Sequence, residues 1–426
     1  MEKVDTFINR LEGNEFNERL LDIYVDKDKI SYQKERYIEA LKAFKKLFGD
    51  EAEAIFSAPG RSEIGGNHTD HQHGEVLAAS INDDAIAVVA RTGKNEVNIL
   101  SKGYDMITIS LDDLEKKESE EGTTHALIRG VIAKTKANGH SIGGFDAYVT
   151  SNVLSGSGLS SSAAFETLVG TILSGLYNDM SISAIEIAII GQYAENVYFG
   201  KPCGLMDQMA CSVGSLCHID FADPSDPIVE RITFDLDGAG YSLCITDTKG
   251  SHADLTPDYA AVPAEMKAVA ACFGKEVLHE VPEEDVIAHA SVVREKCGDR
   301  AFLRAIHFYE ENKRVRNEVA ALNNNDIDTF LTTVNNSGNS SYKYLQNVYT
   351  NHQVDKQNMS IALMLSEMTL GENGVARVHG GGFAGTIQAF VKNEAVAEYK
   401  KKMDEIFGEG SCNVLKIRKY GGVKVM

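Results

Sequence analysis

Residues 151–165, SNVLSGSGLSSSAAF, run from a strand pattern through a glycine–serine break straight into a helix, and this junction limits the possible folds most sharply. Phe145, Ala147 and Val149 alternate at a period of two before it. Ala164, Leu168, Val169, Ile172, Leu173 and Leu176 form one apolar stripe after it. Gly156 and Gly158 let backbone approach a ligand closely, and a helix start offers unpaired N–H groups and a favourable dipole, so phosphate is the natural guest. Ser162 adds a hydroxyl suited to Mg²⁺ beside phosphates; plain N-capping by serine is the competing reading. The segment half-matches a dinucleotide fingerprint, with Gly156, Gly158, Ser161 and a later Asp179. Its third glycine is missing, and the preceding sequence reads as strands without intervening helical patterns. The absence of any G-x-x-x-x-G-K-[ST] excludes an ordinary P-loop.

Around this junction, Ile38, Leu41 and Phe44 predict a helix over 29–47, and residues 55–58 begin an extended segment that Pro59 and Gly60 are expected to halt. Residues 76–81 and 85–90 read as two strands, and Ile107, Ile109 and Leu111 as another. Ile185, Ala188, Ile189 and Tyr193 start a second helix with Glu195 near its far end. All seven prolines fall at expected breaks, and the cluster at 224–227 is the best domain junction, dividing the chain into 1–220 and 221–426. Strand patterns at 243–247, 375–379, 386–391 and 414–417 are interspersed with helical ones such as 301–322, which predicts an α+β class without repeats.

With 426 residues, 43% of them hydrophobic, the chain can fill two cores. Its 62 acidic against 42 basic residues give a net charge of −20, a field that repels nucleic acid and anionic membranes. The opening lacks a signal-peptide pattern and no apolar stretch is long enough for a membrane helix, so a cytoplasmic location is expected. Seven cysteines without a C-x-x-C pair read as reduced thiols.

Three further segments carry chemistry. SAPGRSEIGGNHTDHQHGEVL, residues 57–77, reads as a glycine-rich loop between strands. His68 and Asp70 are suited to sugar hydroxyls and Arg61 to phosphoryl or alkoxide charge. The same loop offers His68, Asp70, His71 and His73 as transition-metal ligands, or is a polar surface loop. RVHGGGFAGTIQAFV, residues 377–391, sets Gly380, Gly381 and Gly382 between two strands, either at a phosphate or in a flexible turn. AENVYFGKPCGLMDQMACSVG, residues 194–214, places Asp207 after a turn as a possible general base and Glu195 as a possible Mg²⁺ ligand; solvated helix charges are the alternative.

In this order the segments resemble the GHMP small-molecule kinases, and within them the galactokinases, whose signature G-R-x-N-x-I-G-E-H-T-D-Y is similar to residues 60–71. The resemblance spans nearly the whole chain. It implies a two-domain α+β fold with a mixed-sheet N-terminal domain, an antiparallel-sheet C-terminal domain and the site between them. It implies ATP and Mg²⁺ as cofactors and a sugar phosphorylated at its anomeric hydroxyl, galactose first among candidates; a monomer is the default expectation, and the charge argues against nucleic-acid and membrane partners. Arg61 and Asp207 match the catalytic pair; Asn67, His68, Asp70, Gly204 and Tyr259, the last in SHADLTPDY after His252, match sugar ligands. Gly156, Ser157, Gly158, Leu159, Ser160, Ser161 and Ser162, with Gly380, Gly381 and Gly382, match the ATP loops, and Ser162 and Glu195 the Mg²⁺ positions. The family's Glu stands as Asn67 here, its Asn as Glu63 and its Tyr as His71. The exchange at 67 removes a carboxylate from the sugar's primary-hydroxyl side, which makes a galacturonate kinase the alternative. A non-catalytic sugar sensor is a further one, against which Arg61, Asp207, Ser162 and Glu195 are all present.

Overall fold

The computed structural model describes residues 1–153, 158–250 and 255–426. Two short strands, β1 (Glu2–Lys3) and β2 (Glu51–Ala52), pair beside helices α1 (Val4–Glu12), α2 (Asn17–Tyr24) and α3 (Ile30–Phe48). Then come β3 (Ala54–Gly65), β4 (Glu75–Arg91), β5 (Glu96–Ser101), β6 (Ile107–Ser110), α4 (Thr124–Ala137) and β7 (Phe145–Ser151). Helices α5 (Ser161–Tyr177), α6 (Ala184–Tyr193), which runs on into a π turn, and α7 (Met206–Val213) lead to β8 (Leu216–Asp220) and β9 (Ile228–Ile232). The second half holds β10 (Tyr241–Asp247), α8 (Thr256–Ala271), α9 (Glu283–Ala288), α10 (Ala290–Cys297), α11 (Asp299–Asn323), α12 (Ile327–Ser340) and α13 (Asn358–Leu370). It closes with β11 (Gly374–Val378), β12 (Thr386–Lys392), α14 (Val396–Phe407), β13 (Cys412–Leu415) and β14 (Val423–Lys424).

Among the described residues, eight strands form a mixed sheet in the order β14-β3-β4-β7-β5-β6, with the β8–β9 hairpin paired to β4. Its β5–β7 pair is parallel and is joined through α4. Four antiparallel strands, β11-β12-β10-β13, form the second sheet. The large sheet therefore takes β9 and β14 from beyond residue 220. Along β4, Ala85, Ala87 and Val89 face the core under α4–α6, while Ile86, Val88 and Ala90 face the core under α1–α3. A third core joins Leu77, Ala79 and Ile81 to Leu243, Val315 and Phe390 of the second half, so the two halves share buried surface.

Several sequence expectations change. The runs at 76–81 and 85–90 are one strand, because Asp84 between them is fully buried and paired with Arg36 and, at 3.0 Å, with Arg418. Extended structure does not stop at Pro59 and Gly60. The β3–β4 register shifts between Pro59 and Arg61, and the strand continues to Gly65, placing Arg61 on a strand and shortening the loop to 66–74. Gly60 passes so close to the α5 approach that a Cβ there would lie 2.8 Å from the Leu159 carbonyl oxygen. Pro59 thus sits in a strand and Pro263 inside α8, not at breaks. A helix, α4, does precede β7. Ala126 to Ile132 are buried almost all round, which erases the one-sided stripe that would have revealed it.

Candidate active site

Arg61, delivered by β3 just past its bulge, meets Asp207 in the first turn of α7. Its Nε and Nη2 donate to the two carboxylate oxygens at 2.7 and 2.8 Å, a bidentate charged pair. Its Nη1 donates to the Gly158 carbonyl, and the Ser160 hydroxyl donates to Asp207 Oδ2. Burial alone would push the Asp207 carboxyl up. Arg61, then Ser160, outweigh it and hold Asp207 below the usual carboxylate range, so it is ionised at neutral pH. Ser160 reaches it from a left-handed backbone position, φ 61°. Behind Arg61, the buried His379 touches the Ser62 hydroxyl at 3.1 Å and the Thr386 hydroxyl at 2.9 Å; burial, then Arg61, bring it to about 3, leaving it neutral.

On one side of this pair lies the 66–74 loop. Asp70 is half-buried, and the backbone of Gly204 lies against it so closely that a Cβ would stand 2.3 Å from Asp70 Oδ2. Burial, then Asp207, push the Asp70 carboxyl up. Burial brings His68 to about 4, and the neutral ring donates from Nε2 to the Gly381 carbonyl at 3.0 Å. Its Nδ1 then accepts from His71 Nε2 at 3.3 Å. This pairing uses the ring nitrogens that a metal would need, and among the described residues no three His, Cys, Asp or Glu side chains are placed to hold one. Tyr259 donates to the Gly382 carbonyl at 2.7 Å and covers Gly381, where a Cβ would lie 2.8 Å from its ring. Gly380 and Gly382 adopt left-handed backbone, φ 67° and 82°, in the turn between β11 and β12.

Asn67 does not face this space. It is fully buried, its Nδ2 donating to Glu63 Oε1 at 3.0 Å and to the Gly380 carbonyl at 2.7 Å. Its Oδ1 accepts from Asn347 at 2.8 Å and from Ser341 at 3.3 Å. Glu63 in turn pairs with the buried Arg377 at 2.9 Å, so the carboxylate of this corner points inward. Burial pushes Glu63 up to about 7 against the pull of Arg377. Asn67 fastens the loop to the glycine turn and to the chain after α12, with His307 and Glu311 of α11 holding its backbone.

The other side of the pair is the start of α5. Ser160, at its N-cap, makes no side-chain cap bond among the described residues, its hydroxyl going to Asp207 instead, and a helix start of this kind suits an anion. Gly156 and Ser157 lie outside the described residues, as does His252. Gly158 is left-handed at φ 71°, with room beside Thr386 and His379 for hydrogen only. The Leu159 side chain points into the shared core, and its carbonyl accepts from the Arg61 backbone N–H at 3.0 Å. Ser162 Oγ donates to Glu195 Oε1 at 3.3 Å, and Lys201 Nζ approaches the same oxygen at 3.1 Å from a mostly exposed side chain. One hydroxyl and one carboxylate suit Mg²⁺, which keeps few protein ligands and completes its shell with phosphate and water oxygens.

The geometry gives Ser160, expected in the ATP loop, a bond to Asp207, and brings in residues to which motif reading gave no role: His379 behind Arg61, and the buried Glu166 and Gln208 beside Glu195. Gln208 is adjacent to Asp207 in the chain, the one signal that pointed to it. The others depend on contacts between distant segments.

The model of the galactokinase galactose-binding signature matches residues 42–91, and that of the GHMP kinase N-terminal domain matches residues 126–215. The galactokinase of Streptomyces coelicolor is 30% identical over 366 residues, covering 85% of this chain and 91% of that protein. The chain belongs to the galactokinase family. The Clostridium acetobutylicum galactokinase is likewise 30% identical over 364 residues, 84% of this chain and 90% of that one. Among solved structures, Lactococcus lactis galactokinase complexed with galactose matches with a TM-score of 0.76 at 25% identity, covering 91% of this chain and all of that one. A mevalonate kinase, at 15% identity and TM-score 0.61 over 86% of this chain, shares the fold. Membership makes the protein a kinase that uses ATP on a sugar hydroxyl, with the mixed α+β GHMP architecture.

Proposed function

We propose that the protein transfers the γ-phosphoryl group of ATP to the anomeric hydroxyl of galactose, giving galactose 1-phosphate, in the cleft around Arg61 and Asp207. The observation that carries the proposal is that bidentate pair, lying between a polar loop built for hydroxyls and the start of α5, whose N-cap serine makes no cap bond among the described residues. Asp70, His68 and the backbone at Gly204 and Gly381 orient the sugar, and Tyr259 shapes the wall that Gly381 and Gly382 form. The N–H groups of Ser161 and Ser162 and the glycine turn at 380–382 hold phosphates. Ser162 and Glu195 would hold Mg²⁺, which would neutralise phosphate charge. Asp207 accepts the sugar proton at its carboxylate. Held low by Arg61, it is a weak base, which suits a loose transition state in which proton transfer comes late and positioning does most of the catalysis. Arg61 is then freed to meet charge on the transferring group.

In this reading residues 1–220 carry the sugar loop and the α5 phosphate site, and residues 221–426 the glycine turn and Tyr259. The protein works as a cytoplasmic monomer without nucleic-acid or membrane partners, and no helix among the described residues is long and apolar enough to cross a membrane.

The test is ADP release with ATP and Mg²⁺ across galactose, galacturonate, glucose, N-acetylgalactosamine and L-arabinose. Turnover of galactose above the other sugars supports the proposal, and sugar-independent ADP release or none at all refutes it. One observation favours galacturonate as a second substrate. Asn67 is neutral and turned inward, and the Glu63 carboxylate is paired with Arg377, so neither side chain presents a free anion to a uronate.

A further inference from the structure

Gln208 joins two carboxylates that lie on different helices. Its Nε2 donates to Glu195 Oε2 at 2.8 Å and to Glu166 Oε2 at 3.1 Å, and all three side chains are almost wholly buried. Glu166 stands one turn after Ser162 on α5, and Gln208 follows Asp207 on α7. Gly191 of α6 makes the room: a Cβ there would sit 3.2 Å from Gln208 Cγ and from Glu166 Oε2. The Gln208 amide oxygen has no partner among the described residues, so the NH₂ side alone decides which way the amide faces.

We infer that Glu166 and Gln208 are positioning residues for the metal ligand Glu195. The inference rests on the reading of Glu195 given under Proposed function. Nε2 donates to a carboxyl oxygen of each glutamate, and turning the amide over would give up both bonds and aim its oxygen at the Glu195 carboxylate. Glu166 thus sets the sense of the amide, and the amide holds Glu195 Oε2, which leaves Oε1 facing Ser162. Without these two groups Glu195 Oε2 loses its buried donor, and the carboxylate is held from the Oε1 side by Ser162 and Lys201, the side a metal would take, so a metal must reorder it on binding. Outer contacts of this kind set metal affinity about 10- to 100-fold. Because Gln208 and Asp207 are adjacent on α7, the same helix also fixes the proposed metal ligand relative to the proposed base.

The experiment measures Mn²⁺ binding by electron paramagnetic resonance with a non-hydrolysable ATP analogue, so that no turnover is involved, together with the Mg²⁺ dependence of ADP release. Glu195→Gln is the control for the metal site, and Glu166→Met, Glu166→Gln and Gln208→Met test the inference. Glu166→Met and Gln208→Met are expected to raise the Mn²⁺ Kd and the half-saturating Mg²⁺ about tenfold or more. Saturating Mg²⁺ should restore kcat to within about threefold, with the galactose KM unchanged, which general misfolding would not allow. Glu166→Gln should bind Mn²⁺ like the parent, since its amide oxygen accepts the same hydrogen bond. If Gln208→Met does not fold, the two Glu166 variants decide the matter alone. Parental Mn²⁺ affinity in Glu166→Met and Gln208→Met, with affinity lost in Glu195→Gln, overturns the inference and leaves the metal site standing. So does a Glu166→Gln variant as weak as Glu166→Met, since the charge itself would then be what matters. Unchanged affinity in Glu195→Gln overturns the metal reading and this inference with it.

Discussion

A single methyl group at residue 204 should weaken the sugar site without weakening the fold. The Cβ of Gly204→Ala would stand 2.3 Å from Asp70 Oδ2 and 3.3 Å from its Cγ, with the Asp70 Cβ already at an ordinary 3.9 Å. The clash therefore falls on the free end of the Asp70 side chain, which must swing by about 1 Å to regain normal van der Waals distance. Gly204 is exposed and lies outside the left-handed backbone region, so alanine fits its conformation, and stability should change by less than about 0.5 kcal/mol. A displaced Asp70 would lose its proposed charge-assisted hydrogen bond to the sugar, worth about 1.5–3 kcal/mol, or about 10- to 150-fold in affinity. Titration calorimetry with galactose and the KM for galactose in the ADP-release assay read this loss, and urea unfolding checks the fold. A galactose Kd within about twofold of the parent, in a variant of parental stability, would refute Asp70 as a sugar ligand at this contact.

Asp207→Asn removes the proposed proton acceptor but keeps a side chain of the same shape; kcat should fall by about 10²- to 10⁴-fold with the galactose Kd nearly unchanged, and near-normal turnover would sink the base assignment. Burial alone would raise Glu311, but His307, Arg314 and Arg377 bring it to about 2 from an ordinary 4.5, so its folded pKa is depressed. Its stabilisation, about 3 kcal/mol, is then present above pH 4.5 and lost as pH falls towards 2. Urea midpoints of the parent and Glu311→Gln should differ at pH 7 and converge across that window; a gap that does not narrow contradicts the argument. Arg418→Met withdraws a fully buried cation from Asp84 and Ser57, held at 3.0 and 2.8 Å, and should cost about 3 kcal/mol of stability. A loss under about 1 kcal/mol by denaturant unfolding would show that Arg36 alone suffices for Asp84.

The sequence by itself determined the local parts of this protein. Alternation marked β7, the apolar stripe marked α5, and the glycines and serines between them marked a helix start open to phosphate, because each depends on neighbours within a few residues. The motifs and their order were enough to raise the family resemblance that the 30% identical relatives then bore out. Tertiary structure decided what depends on distant partners. The continuity of β4 through Asp84 needs Arg36 and Arg418, which lie 48 and 334 residues away. The helix α4 lost its signature because it is buried on nearly every side. Arg61 and Asp207, 146 residues apart, become one pair only when the β3 bulge and the first turn of α7 meet. Asn67 read as an altered sugar contact in the chain, with Glu63 a second departure from the family's pattern. In the fold they form a buried brace with Arg377, because an unpaired carboxylate in that corner would be costly and an arginine from β11 is there to meet it.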